Sequence, residues 1–128
     1  MSDRTAGLLY IGAMVLLSFA FQYQMKVLAN ELAPVLSRTA GLTDKAQGLL
    51  QAPVMGRLAV VGILAASLFV IWLLALTKLD LSLALPLASI ALVVNAVGSG
   101  LLLGEQLSAL RVGGVLVVAV GIAMVLKS

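Results

Sequence analysis

The chain has 128 residues, of which 62% are hydrophobic and 10% charged, whereas a soluble domain carries about 25% charged residues. So few charges cannot cover a water-exposed fold, and the mean hydropathy of +1.20 directs the surplus apolar surface to lipid. Cysteine and histidine are absent and the net charge is +3; disulfides, thiolate metal sites and imidazole proton shuttles are thereby excluded, and the scattered basic residues read as headgroup flanks and not as a nucleic-acid surface.

A helix needs about 20 mainly apolar residues to cross a bilayer. The runs lack the alternating polarity of barrel strands, so helices are the expected spanning element. Residues 6–28 predict the first. The run exceeds a signal-peptide core and ends in Gln22, Gln24 and Lys26 where a cleavage site would have small residues, so it is expected to stay in the mature chain. Ser18, Gln22 and Lys26 recur every four residues and form one stripe. In lipid such a stripe marks a pathway or a packing contact. As a pathway, it is a groove for a phosphate-bearing headgroup, with Lys26 as the point charge. As packing, Gln22 bonds a neighbouring helix and Lys26 snorkels to the interface.

Residues 29–55 form the long connection, with Pro34, Gly41, Gly48 and Pro53. Residues 43–50 fit either a short interfacial helix capped by Thr43 or an ordered loop without a role. The second helix is expected over 56–76. The turn 77–80, Thr-Lys-Leu-Asp, makes it the antiparallel neighbour of the third, expected over 81–103. There Pro86 removes a helix hydrogen bond and is expected to kink or loosen the helix. Ser82, Pro86 and Ser89 share a face. Asn95, six beyond Ser89, falls nearly opposite, which favours a bond to another helix over one to a ligand.

The turn 104–109 leads into the fourth helix, 110–126. Glu105 suits the dipole at a helix N-terminus, and Ser108 is the candidate N-cap. Gly114 and Gly121 lie on one stripe of a helix with almost no polar atoms, so a dimer contact is its most economical role. Both termini fall on one side with Arg4, Lys78 and Lys127. The opposite side holds Arg38, Lys45, Arg57 and Arg111, with Lys26 at its edge. This balance leans toward cytoplasmic first and third loops without fixing the orientation. No catalytic constellation or nucleotide-binding loop occurs, so neither an enzyme activity nor a cofactor nor a metal is expected.

Leu16-Leu17-Ser18-Phe19-Ala20-Phe21-Gln22 with Lys26 resembles the first helix of the small aminoarabinose-phosphoundecaprenol flippase subunits of the drug/metabolite transporter superfamily. The run from Trp72 through Leu79, then Ala84-Leu85-Pro86-Leu87-Ala88-Ser89, resembles their second and third helices. Gly104-Glu105-Gln106-Leu107-Ser108 with Gly113-Gly114 and Gly121-Ile122 is similar to a superfamily-wide ending. The resemblance implies an all-α, four-helix bundle of the small multidrug resistance type. It implies a homodimer or heterodimer of such subunits in the bacterial inner membrane, moving an undecaprenyl-phosphate-linked sugar without ATP hydrolysis. The headgroup would pass Ser18, Gln22, Ser82 and Ser89, and kinking at Pro86 would open the side for the lipid tail.

The small multidrug resistance exporters, which move small metabolites or cations, are the alternative. Aligned on Tyr10, Gly12 and Lys26, their essential glutamate falls on Ser18, and their early third-helix aromatics fall on Leu85 and Ala88. Residues 6–28 contain no carboxylate, and an unpaired cation in the bilayer is costly. The long first loop and Phe21 depart from the flippase pattern.

Overall fold

The computed structural model describes residues 2–37 and 41–128, Ala52 by its backbone alone. All regular elements among them are helices: α1 (Asp3–Leu36), α2 (Leu42–Leu49), α3 (Ala52–Leu76), α4 (Leu81–Ala88), α5 (Ile90–Leu102) and α6 (Ala109–Lys127). Four helical stretches are long and apolar enough to cross a membrane: α1, α3, α4 with α5, and α6. This is the make-up of a multi-pass membrane protein.

The first helix runs well past its expected end at residue 28. Its 34 residues span about 51 Å at about 1.5 Å each, against about 30 Å of hydrocarbon core. Ala29, Leu32 and Ala33 are good helix formers, and Pro34, which lacks the N–H to bond one turn back, is followed by only two more helical residues. The extension also gains a partner: Arg57 Nε on α3 donates to both Glu31 oxygens, at 2.8 and 2.9 Å. Helix one therefore does carry a carboxylate beyond its expected end. Arg57 Nη1 also donates to Gln24 Oε1 at 3.1 Å. Leu28 and Val54 are buried nearby, so the α1–α3 seam combines apolar packing with a three-residue polar clasp.

The expected loop 29–55 thus holds the end of α1, the helix α2 and the start of α3. Gly41, and not Thr43, is the N-cap of α2, and no side chain caps it. Gly48 of α2 is buried against Val35. Arg38, one of the expected basic flanks, lies outside the described residues.

Pro86 loosens the third span as expected. α4 ends at Ala88, and Ser89 stands between it and α5 as a turn. α6 begins at Ala109, capped by Ser108, whose Oγ accepts from the Arg111 N–H at 3.3 Å.

α1 lies between α3 and α4–α5, and α6 packs on α4 and α5. The core is concentrated toward the termini. Ile11, Val15, Ala75, Leu79, Ala84, Leu87 and Ile122 meet there from all four spans, and the fully buried Ala75 and Ala84 permit close helix approach. Farther along, α1 meets α5 through Phe19, whose ring covers Gly98 so closely that a β-carbon there would collide with it. Beyond that contact the two helices leave a cleft.

Candidate functional site

The cleft has a volume of about 310 Å³. α1 contributes Phe19, Gln22, Tyr23 and Lys26, at intervals of three, one and three. α5 contributes Leu92, Asn95 and Ser99, and the following turn Leu103 and Glu105. Spacings of three and four put each set on one helix face. An apolar bundle thus gathers two amides, two hydroxyls, an ammonium and a carboxylate in one place.

Gly104 explains how Glu105 gets there. Its φ of 64° is left-handed, a conformation that favours glycine. The chain folds back under the end of α5, and the Glu105 N–H donates to the Ser99 carbonyl at 3.3 Å. The Glu105 carboxylate then meets Lys26 Nζ at 2.8 Å. The Lys26 ammonium, by hydrogen bond and by charge, holds the Glu105 carboxyl below the usual carboxylate range. Glu105 is therefore engaged across the cleft by α1, in addition to lying near the start of α6. Both side chains keep contact with the surroundings, at 49% and 35% exposure. A pair this open holds its partners loosely, so Lys26 is available to exchange Glu105 for another anion.

Asn95 lies deeper. Its Oδ1 is buried with no hydrogen-bond partner among the described residues, and an orphaned polar atom of this kind costs about 1–3 kcal/mol. Ser99 Oγ cannot relieve it while donating to the Ala96 carbonyl at 3.0 Å.

The residues expected to line one groove divide. Gln22 and Lys26 come together in the α1–α5 cleft. Ser18 is half-buried and its Oγ donates to the Val15 carbonyl at 2.7 Å. Ser89 Oγ donates to the Leu85 carbonyl at 3.3 Å, and Pro86 precedes it in the loosened stretch. Ser82 lines a different cleft, about 630 Å³, with Arg4, Lys78, Asp80 and Ser128 at the opposite end of the bundle. That cleft is larger but its charges offset one another. Asp3 Oδ1 accepts from Lys78 Nζ at 2.7 Å and holds the lysine above its usual range, while Asp80 adds a second negative charge. Gly114 and Gly121 are exposed on α6 with open space around them.

Ser99 and Glu105 join the site unforeseen; Asn95, expected to bond another helix over a ligand, lines it on the face toward α1 and apart from Ser82. The spacing Leu92–Asn95–Ser99–Leu103 was the available signal for the α5 face. No family model, no curated protein and no solved structure matches the chain.

Proposed function

We propose that the chain is a subunit of a flippase that moves an undecaprenyl-phosphate-linked sugar, a precursor of lipid-linked glycans, across the bacterial inner membrane without ATP hydrolysis. The observation that carries this reading is the α1–α5 cleft: one ammonium, Lys26, on the same face as Gln22 and opposite Asn95 and Ser99. A phosphate replaces Glu105 on Lys26, the amides and hydroxyl take the sugar, and the polyprenyl tail stays in the bilayer. Such a head needs few polar side chains, and the chain supplies few. A second reading, export of small cations or metabolites in the manner of small multidrug resistance proteins, draws on Glu105 as an acid at the cleft; its engagement by Lys26 favours the first.

The test is reconstitution in proteoliposomes with a short-chain polyprenyl-phosphate sugar in one leaflet. Transfer to the other leaflet is expected, and Gln22→Leu is expected to slow it about tenfold or more while inserting normally, since a polar contact to the moving head is lost. Proton movement driven by a quaternary ammonium drug would overturn this reading in favour of the second.

The subunit pairs with an identical or similar one through the Gly114–Gly121 stripe of α6. Both glycines are exposed and a β-carbon at either would meet nothing within 4 Å among the described residues, so leucine at both sites points away from the protomer's interior and blocks a close-packed neighbour. Gly114→Leu with Gly121→Leu is expected to lower the cross-linked dimer fraction in membranes severalfold. An unchanged fraction moves the interface to another helix.

A further inference from the structure

Four serine hydroxyls of these spans bond a carbonyl three or four residues back: Ser18 to Val15, Ser67 to Ile63, Ser89 to Leu85, Ser99 to Ala96. Asn95 does otherwise. Its carbonyl oxygen is buried without a donor among the described residues, although the residue lines the cleft. The helix has no donor to offer, because mid-helix N–H groups are committed to carbonyls one turn back. Across the cleft Lys26 is engaged by Glu105, Ser99 has given its proton to Ala96, and the Gln22 amide and Tyr23 hydroxyl, which also line the cleft, make no hydrogen bond to Asn95 Oδ1. Half a turn about the last side-chain torsion presents the oxygen to the cleft and turns the amide NH2 inward, where a helix carbonyl one turn back, which has a second lone pair, can accept from it.

We propose that Asn95 is the specificity-determining residue of this cleft: its amide oxygen accepts a hydrogen bond from a hydroxyl or amine on the head of an amphiphile whose phosphate meets Lys26. The inference rests on the phosphate-head reading above and adds a requirement to it. An anion alone satisfies Lys26 but leaves Asn95 unpaired. A head that also carries a donor satisfies both, and a site with a buried polar group discriminates against ligands that cannot pair it.

Two probes with equal charge and equal tails separate these requirements: dioctanoyl phosphatidylglycerol, which has hydroxyls, and dioctanoyl phosphatidylmethanol, which has none. Their dissociation constants are measured on the purified full chain in a neutral detergent. The native chain is expected to prefer the glycerol lipid about tenfold, the worth of one hydrogen bond at the upper end of its range. Asn95→Leu is expected to erase that preference while binding the methanol lipid as before. An asparagine with a merely structural role would weaken both lipids together and leave their ratio intact. Asn95→Ser, a smaller change should the leucine variant fail to fold, is expected to keep part of the ratio. Equal binding of both lipids by the native chain, or an undiminished ratio in both variants, overturns the role of Asn95 and leaves the phosphate cleft standing. Failure of both lipids to bind the native chain overturns the phosphate-head reading and this inference with it. Competition by soluble glycerol 3-phosphate as strong as by the lipid overturns the assignment to an amphiphile.

Discussion

Arg57→Ala is expected to destabilise the fold by about 1–3 kcal/mol, the cost of stranding charge-assisted hydrogen-bond partners. The guanidinium spans both Glu31 oxygens and Gln24 Oε1, so its loss leaves a carboxylate and an amide facing α3 without a donor. Both charged side chains are 34% exposed, which keeps the cost below that of a fully buried pair. Leu28 and Val54 remain to hold the helices, so the chain should still insert. Unfolding in detergent, followed by loss of helical circular dichroism, reads the effect as an earlier midpoint. Arg57→Lys should recover only part of it, because an ammonium cannot reproduce the planar fork that addresses two oxygens and an amide at once. An unchanged midpoint in the alanine variant would mean that apolar packing alone fixes α1 against α3.

This clasp also marks how far the sequence could be read. The four spans were legible because lipid demands long apolar runs, and the Ser108 cap because its side chain bonds only three residues ahead. The interruption near Pro86 was legible too, since a proline removes its donor wherever it stands. The end of α1 was not, because the apolar run stops near residue 28, while the extension beyond it is held by Glu31 pairing with Arg57 of another helix. The cap of α2 was misassigned for a related reason: Thr43 has the right chemistry, but the chain turns at Gly41. In the cleft, Gln22 and Lys26 were found from their four-residue spacing on one unbroken helix. Asn95 was expected to face away from Ser82 and toward another helix, and it does face α1; that its Oδ1 would find no partner among the described residues was not legible, because that depends on what the facing helix presents. Glu105 was read from its place before α6, while the left-handed Gly104 turns it back toward α1. Features carried by one continuous helix were visible; those set by a facing helix or a left-handed residue needed the three-dimensional arrangement.

The Lys26–Glu105 pair offers the sharpest test of the transport reading, because that reading gives its two halves opposite signs. If the pair only braces α1 against the α5–α6 turn, neutralising either partner should weaken the chain in the same direction. If Lys26 exchanges Glu105 for a phosphate, Lys26→Gln removes the anion's partner and Glu105→Gln removes its competitor. Lys26→Gln is then expected to weaken phosphatidylmethanol binding about tenfold or more, the worth of a charge-assisted hydrogen bond. Glu105→Gln is expected to strengthen it severalfold. Acid should mimic the second substitution. Because Lys26 lowers the Glu105 carboxyl, the pair is intact at neutral pH and is lost only as pH falls through that depressed value, below the usual carboxylate range. Binding should therefore stay level through neutrality and rise only in stronger acid, until the phosphate itself takes up protons. In Glu105→Gln that rise should vanish. Weaker binding in both variants would reduce the pair to a brace and remove Lys26 from the path of the headgroup.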